Sequence, residues 1–218
     1  NMMHASIPFR NIAIEGPIGS GKTTLATRLA AHLQATLLLE KPEQNPFLNP
    51  FYQDTKHYAL ATQLSFLMQR IAQQEFLQNA YDASNTVISD YLFDKDSLFA
   101  ELNLNTEEYA LYQDIQRHCM SKPIHPDLVI YLQAPTDLLL KRIESRGLNH
   151  EKAITHDYLS RVADRYTRFF LDYKESPVLV INTEFINFEQ PQVYQLLLEQ
   201  LHSIKGGRAY WNAAEALV

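Results

Sequence analysis

Cysteine is almost absent from the chain, with Cys119 the one example among 218 residues. A single cysteine cannot close an internal disulfide, which favours a reducing cytoplasm, and we expect this thiol to be inert in the core. The eight histidines lack the paired spacing of a zinc site. Residues 1–10 lack the apolar stretch of a secretory signal, and no apolar run is long enough to span a membrane. A soluble cytoplasmic protein without a membrane partner is therefore predicted.

Positive charge and glycine are also scarce. The 19 lysines and arginines are outnumbered by 25 aspartates and glutamates, which gives a formal net charge of -6. A nucleic-acid partner is not expected at this charge, so a polyanionic ligand must be held by a local feature. Three of the six glycines lie close together, at positions 16, 19 and 21.

Short, apolar, β-branched runs alternate with helical patterns along the chain. This order indicates βαβ units with right-handed crossovers, and each run is apolar enough to be covered on both sheet faces. We therefore predict an α/β fold, a three-layer α/β/α sandwich around a five-stranded parallel sheet. The predicted strands are Asn11–Glu15, Thr36–Glu40, Thr86–Asp90, Leu128–Leu132 and Val178–Ile181. The predicted helices are Lys22–Gln34, Asp54–Ala80, Lys95–Met120 with a break near Asn103 and Asn105, Asp137–Arg146, Thr155–Tyr173 and Pro191–Ile204.

No linker-like segment divides the chain. A length of 218 residues is enough for one good-sized core. We predict a single domain over residues 1–204, followed by a C-terminal extension over residues 205–218. Trp211 lies in this extension and has no assigned place.

A glycine-rich segment stands directly after the first predicted strand and before the first predicted helix. It matches GxxxxGK[ST], the signature of a P-loop NTPase fold. Its backbone N–H groups and the helix N-terminus are expected to bind the phosphates of ATP. Lys22 would bridge the β- and γ-phosphates, and the Thr23 hydroxyl would bind Mg²⁺. The predicted ATP-binding residues are Gly16, Pro17, Ile18, Gly19, Ser20, Gly21, Lys22, Thr23 and Thr24.

Two acidic residues end neighbouring predicted strands. Glu40 closes the second strand and Asp90 the third. In an open parallel sheet the ligand crevice lies beyond the carboxyl ends of the strands, so both acids are expected to face the P-loop. Glu40 could accept the proton of an attacking hydroxyl, and Asp90 could hold Mg²⁺ directly or through water. For either acid alone, a capping or solvated carboxylate is the structural alternative.

Two further pairs share helix faces. Gln63 and Arg70 are seven residues apart, nearly two turns, and a purely structural core helix would leave both polar groups unexplained. Arg142 and Arg146 are four residues apart near the end of a helix that Gly147 closes. Cations near a helix C-terminus favour its dipole, which is the structural explanation for both arginines.

The chain resembles the deoxynucleoside kinases, in particular the bacterial deoxyadenosine/deoxyguanosine kinase branch. The residues that carry this resemblance are Tyr52, Gln63, Arg70 and the series Arg142, Arg146-Gly147 and Glu151. This resemblance implies that Glu40 is the general base on the sugar 5′-hydroxyl. It implies that Tyr52 and Glu151 hold the 3′-hydroxyl, that Gln63 contacts the base edge, and that Arg70 and Asp96 lie near the base. It also implies catalytic roles for Lys22 and for Arg142 and Arg146, which belong to a lid over about residues 142–152. It further implies that the protein uses ATP and Mg²⁺ and forms a homodimer.

The chain departs from the family pattern at two places. It has Asp90-Tyr91-Leu92 where many members have an acidic residue followed by Arg-Ser, and Leu148 where some carry another lid arginine. After the last strand, Phe185 or Phe188 could stack on the donor adenine or plug the sheet.

The function expected from these features is transfer of the ATP γ-phosphoryl group to the 5′-hydroxyl of a deoxynucleoside. The branch resembled favours deoxyadenosine or deoxyguanosine, with deoxycytidine as an alternative. A nucleoside monophosphate kinase is the nearest competing enzyme, but a carboxylate at Glu40 repels a monophosphate acceptor. A non-catalytic nucleotide-binding regulatory protein is the alternative from another class.

Overall fold

A parallel β-sheet lies at the centre of the computed structural model, which describes residues 7–83, 85–120 and 122–212. The strand order is β2-β3-β1-β4-β5-β6, and every paired neighbour is parallel. The strands are β1 (Asn11–Glu15), β2 (Thr36–Leu38), β3 (Val87–Ser89), β4 (Leu128–Gln133), β5 (Val178–Asn182) and β6 (Arg208–Trp211). The described residues do not include residues 1–6, which belong to the segment predicted to lack a secretory signal. They also do not include residues 213–218 of the predicted C-terminal extension.

Eight α-helices connect and cover the strands in the described part of the chain. They are α1 (Lys22–Leu33), α2 (Leu48–Gln53), α3 (Thr55–Asp82), α4 (Lys95–Asn103), α5 (Thr106–Cys119), α6 (Thr136–Arg146), α7 (His156–Asp172) and α8 (Pro191–Ser203). The predicted break near Asn103 and Asn105 is confirmed. It arises because Asn105 accepts from the backbone N–H of Glu108 while the Glu108 side chain accepts from that of Asn105, a capping box that starts a new helix. Short 3₁₀ turns also span Pro42–Gln44 and Asn149–Glu151.

The predicted three-layer α/β/α arrangement is confirmed, and the alternation of side chains along the strands explains it. Ile12 and Ile14 of β1 pack in one cluster with residues of α1 and α8. Ala13, which points to the opposite face, packs in another cluster with Leu67 of α3 and Val162 of α7. Each strand is therefore apolar on both faces, as buried parallel strands require.

The predicted strand count of five is wrong, because the sheet has six strands. The sixth, β6, comes from the segment expected to be an extension, and it pairs in parallel with β5 through Val180↔Tyr210 and Ile181↔Trp211. The Trp211 side chain packs into the same cluster as α1 and α8 and is 9% exposed. A four-residue strand beginning with Arg208 lacks the apolar run that revealed the other strands.

Cys119 is exposed at the end of α5, so the expectation of a core thiol is wrong. Cys119 is seven residues beyond the buried Tyr112 and so on the same face of α5, and its exposure comes from its place as the last residue of the helix. Within residues 7–83, 85–120 and 122–212, no helix combines the length and apolarity needed to cross a membrane.

We expect Trp211→Ala to lower the free energy of unfolding by about 3 kcal/mol, because truncating a buried aromatic ring leaves a cavity. Tyr210→Ala is the matched control, since its side chain is 69% exposed on the same strand and its loss should change stability by less than about 0.5 kcal/mol. Urea unfolding of both variants measures the difference. Equal losses would show that β6 is not anchored through Trp211.

Candidate active site

The P-loop forms a tight turn between β1 and α1. Gly21 caps α1 with φ +91°, and Gly19 has φ +87°. A Cβ at Gly19 would lie 2.6 Å from the carbonyl oxygen of Leu139 in α6, so a side chain is excluded there by both conformation and space. This turn directs the N-terminus of α1 into a cleft at the carboxyl edge of the sheet, a geometry suited to anions.

Lys22, the P-loop lysine, is held between two carboxylates. Its Nζ lies 3.1 Å from Oε1 of Glu15 and 3.9 Å from Oε2 of Glu40. Burial would lower the pKa of Lys22, but Glu15, Glu40 and Asp90 together raise it well above its ordinary value. The side chain is therefore an ammonium cation facing the cleft.

Glu40 lies two residues beyond β2 and points into the same cleft. Its Oε1 accepts from Arg70 Nη2 at 2.9 Å, and its Oε2 accepts from Lys95 Nζ at 2.6 Å. Burial would raise the pKa of this carboxyl, but Lys95, Arg70 and Lys22 hold it well below its usual range. Glu40 is therefore an ionised hydrogen-bond acceptor fixed at both oxygens.

Glu15 and Lys95 belong to this charge cluster although sequence reasoning missed both. Glu15 is fully buried, and its Oε1 accepts from Lys22 Nζ and from the hydroxyl of Tyr166 at 2.9 Å. Its Oε2 lies 3.3 Å from Lys95 Nζ. The available signal was a glutamate ending an apolar strand directly before Gly16, where a charge needs a partner.

Asp90 and Thr23 meet on the P-loop side of the cleft. The Thr23 hydroxyl donates to Oδ2 of Asp90 at 2.7 Å, and Oδ1 accepts from the backbone N–H of Glu40 at 2.7 Å. Burial raises the pKa of Asp90 despite the opposing effects of Lys22 and of the Thr23 hydrogen bond.

These two oxygen-bearing side chains fit Mg²⁺, which takes oxygen ligands and commonly one or two protein carboxylates together with substrate phosphates. No group of three or more histidine, cysteine or acidic residues suited to a metal occurs among the described residues. A nucleotide would therefore have to supply part of the coordination at Thr23 and Asp90.

The residues predicted to read the base meet at the opposite end of the cleft. Arg70 donates to both Glu40 and Asp96, and its guanidinium lies 4.8 Å from the centre of the Phe66 ring. Gln63 Nε2 donates to the backbone oxygen of Asp96 at 3.0 Å, which leaves the Gln63 carbonyl oxygen as an acceptor. The predicted shared face of Gln63 and Arg70 lines the cleft, and Phe66 lines it beside them.

Asp96 lies behind this face rather than on the cleft wall. It is fully buried, and its two oxygens accept from Arg70 and from the hydroxyl of Tyr112. Tyr112, on α5, was not predicted. Asp96 therefore holds the Arg70 guanidinium in place, and Arg70 in turn holds the Glu40 carboxylate. One series of ion pairs thus runs from the residues predicted to contact the base to the P-loop side of the cleft.

Tyr52 and Glu151 lie at the rim of the cleft. The Tyr52 ring packs against Tyr158 with ring centres 5.9 Å apart. Burial and the neighbouring Tyr158 and Glu151 raise the pKa of Tyr52 well above its usual value, so its hydroxyl is a donor. Glu151 accepts from Arg146 Nη2 with both oxygens at 2.9 Å. The half-buried His150 also lines this rim.

The two predicted lid arginines are separated. Arg146 lines the cleft, on a helix that ends at Gly147 as expected. Arg142 lies between the P-loop and the loop after β5. It donates to the Gly19 backbone oxygen at 3.4 Å, to the hydroxyl of Thr183 at 3.1 Å and to the Thr183 backbone oxygen at 2.9 Å. Arg142 is therefore already beside the P-loop, and a role at the phosphates requires its guanidinium to exchange these oxygens for phosphate oxygens.

The two phenylalanines after β5 have different environments. Phe188 packs against the cluster that contains α1 and α8, and its backbone oxygen accepts from Arg28. Phe185 is 74% exposed. Phe188 therefore fits the alternative in which a phenylalanine plugs the sheet. Phe185 is the aromatic ring that a ligand could reach.

The P-loop and Glu40 open onto one shared cleft that continues to Gln63, Tyr52 and Arg146. A P-loop with an adjoining acceptor pocket and a fixed carboxylate defines a P-loop phosphotransferase. A family model described as deoxynucleoside kinase matches residues 12–204, and the chain belongs to this family. It is a kinase that phosphorylates the 5′-hydroxyl of a nucleoside.

Curated relatives and solved structures agree with this family. Deoxyguanosine kinase of Bacillus subtilis is 36% identical over 156 residues, which cover 71% of this chain and 75% of the relative. Deoxyadenosine kinase of Lactobacillus acidophilus is 31% identical over 212 residues, which cover 88% and 97%. The structure of deoxyadenosine kinase from M. mycoides with the products dCMP and a flexible dCDP bound has a TM-score of 0.75 at 25% identity, covering 88% and 99%.

We expect Tyr112→Phe to lower the free energy of unfolding by about 1–3 kcal/mol, because it leaves one oxygen of the buried Asp96 without a donor. Tyr109→Phe is the control, because the Tyr109 ring stacks on Tyr112 but the hydrogen bond to Asp96 comes from the Tyr112 hydroxyl. Urea unfolding compares the two variants. A loss no larger for Tyr112→Phe than for the control would contradict the bond to Asp96.

Proposed function

We propose that the chain transfers the γ-phosphoryl group of ATP to the 5′-hydroxyl of a purine deoxynucleoside, with deoxycytidine as a further acceptor. The observation that carries this proposal is the separation of 3.9 Å between Lys22 Nζ and Glu40 Oε2 within one cleft. Donor phosphates at the first group and an acceptor hydroxyl at the second would then be adjacent. The base assignment is supported by the relatives, which are deoxyguanosine and deoxyadenosine kinases, and by the M. mycoides enzyme with dATP bound.

Glu40 accepts a hydrogen bond from the 5′-hydroxyl and takes its proton during transfer. Since its cations keep it ionised, it is a weak base toward the free alcohol. The proton is therefore transferred late, when bonding to phosphorus has made the hydroxyl acidic. Positioning the oxygen is the larger part of the contribution of Glu40.

The phosphates are held by residues 16–24 of the P-loop and by Lys22. Thr23 and Asp90 would hold Mg²⁺, which when bound neutralises charge on the β- and γ-phosphates. Arg146 leaves Glu151 and binds the migrating group, and Arg142 follows by movement of residues 142–152 as a lid. Both guanidiniums would stabilise the negative charge of the transition state.

The acceptor is oriented by the remaining cleft residues. Tyr52 and Glu151 hold the 3′-hydroxyl at the rim. Gln63 contacts the base edge with its free carbonyl oxygen, Arg70 contacts it with a guanidinium, and Asp96 acts through Arg70. A carbonyl acceptor at this position suits an exocyclic amino group, which adenine, guanine and cytosine carry and thymine lacks.

A nucleoside monophosphate kinase fits the cleft less well. Glu40, Asp90 and Glu15 concentrate negative charge where the acceptor phosphate would lie, and the cations beside them are already paired. A nucleotide-binding regulatory protein would not need the pocket formed by Tyr52, Gln63 and Glu151.

An assay with ATP, Mg²⁺ and a panel of deoxynucleosides and monophosphates tests the proposal. We expect purine deoxynucleosides to be phosphorylated and monophosphates to be left unchanged. In Glu40→Gln, turnover should fall at least about a hundredfold while ATP binding is retained, because the general base is lost. Binding is measured by titration calorimetry.

Glu43→Gln is the matched control, because Glu43 is an exposed glutamate three residues away. Its turnover should equal that of the unmodified chain. Unchanged phosphorylation in Glu40→Gln would reject the role given to Glu40, and turnover of monophosphates alone would reject the acceptor assignment.

We further propose that the chain works as a cytoplasmic homodimer that needs no nucleic acid or membrane. Large exposed apolar side chains lie on neighbouring helices: Met68, 56% exposed, and Phe76, 50% exposed, on α3, and Leu111, 47% exposed, on α5. Exposed apolar side chains of this size on two helices in contact support an interface between copies.

We expect the double variant Met68→Glu, Phe76→Glu to shift the protein to a monomer, because charges buried at a symmetric interface would repel each other. Leu171→Glu is the control, since Leu171 is 62% exposed on α7 and outside the proposed surface. Light scattering after gel filtration gives the mass. A dimer that survives the double variant would place the interface elsewhere.

A further inference from the structure

We propose that Lys95 is a positioning residue that neutralises Glu15 and aims Glu40 when Lys22 turns to the phosphates of ATP. This inference rests on the roles proposed for Lys22 and Glu40. Lys95 begins α4 and is 2% exposed, yet it reaches the wall of the cleft.

Lys95 bridges the two carboxylates. Its Nζ lies 2.6 Å from Oε2 of Glu40 and 3.3 Å from Oε2 of Glu15. Lys22 also reaches both acids, but it contacts the other oxygen of Glu15. Two buried acids are thus shared by two lysines, and one of these lysines is the residue that must bind the nucleotide.

ATP would compete with Glu15 for Lys22. When Lys22 moves to the phosphates, Glu15 retains donors from the Gly16 backbone, the Leu92 backbone and the Tyr166 hydroxyl. These donors are neutral, so Lys95 becomes the cation that offsets the charge of Glu15. A buried acid without a cation would draw Lys22 back, because an unpaired buried charge is strongly unfavourable.

Lys95 also sets the direction of Glu40. The carboxylate is held between Arg70 on one oxygen and Lys95 on the other. Without Lys95, one oxygen of Glu40 is free to rotate toward Lys22, which would leave the acceptor hydroxyl without its partner. Tyr91, which follows Asp90, is buried and uncharged, and Lys95 supplies positive charge from the following helix.

The test is Lys95→Met, with the affinity for ATP·Mg²⁺ measured by calorimetry without acceptor. We expect the Kd for ATP to rise at least about tenfold and kcat to fall at least about tenfold, since a buried pair has lost one partner. The Kd for the deoxynucleoside should change less than about threefold, because the contacts of Gln63 and Tyr52 remain. Lys174→Met, at an exposed lysine between α7 and β5, should match the unmodified chain.

A second variant separates this role from a general effect on folding. Glu15→Gln with Lys95→Met removes both charges, so Lys22 is no longer drawn back and the Kd for ATP should recover at least about threefold relative to Lys95→Met. This neutral pair is also the form to measure if Lys95→Met does not fold, and its Kd should then lie within about tenfold of the unmodified chain.

Two results would overturn the inference. One is a folded Lys95→Met protein whose Kd for ATP and kcat equal those of Lys174→Met. The other is a double variant that binds ATP no better than Lys95→Met or, where Lys95→Met does not fold, a double variant that binds ATP more than about tenfold worse than the unmodified chain. Retained activity in Glu40→Gln would instead defeat the role proposed for Glu40, so the two failures are distinguishable.

Discussion

Two carboxylates, Glu15 and Glu40, are largely withdrawn from water at the carboxyl edge of the sheet, and the site depends on the cations that surround them. Side-chain exposure is 0% for Glu15 and 13% for Glu40. Charges at this depth are tolerated only when they are paired and hydrogen-bonded. Lys22, Lys95 and Arg70 meet this requirement, and the same pairing fixes the groups proposed to contact both substrates.

The fold makes this pairing geometrically available. All strands are parallel, so the segments following β1, β2 and β3 emerge at one edge and bring the P-loop, Glu40 and Asp90 together. Helices α3 and α4 then add Arg70 and Lys95 from the layer above the sheet. The acids come from the strand ends and the cations come from helices. The site therefore forms only when the helices pack against the sheet and bring each acid to its cation.

The ion pairs also join the two ends of the cleft. Asp96 holds Arg70, Arg70 holds Glu40, and Glu40 shares Lys95 with Glu15 beside the P-loop. The predicted base contacts and the P-loop are therefore connected by one continuous series of largely buried ion pairs. At the rim, Arg146 pairs in the same way with Glu151, the residue proposed to contact the sugar.

Apolar periodicity and a glycine motif are local properties of the chain, so the sequence was enough to predict the sheet core, the P-loop and the strand-end acids. It also predicted the face shared by Gln63 and Arg70, since that follows from helix geometry. The folded structure was needed to show that Glu15 and Lys95 belong to the site, that Arg142 lies on Thr183, and that residues 208–211 form a sixth strand. These depend on which buried charges meet across distant segments, and spacing along one segment carries no information about such pairs.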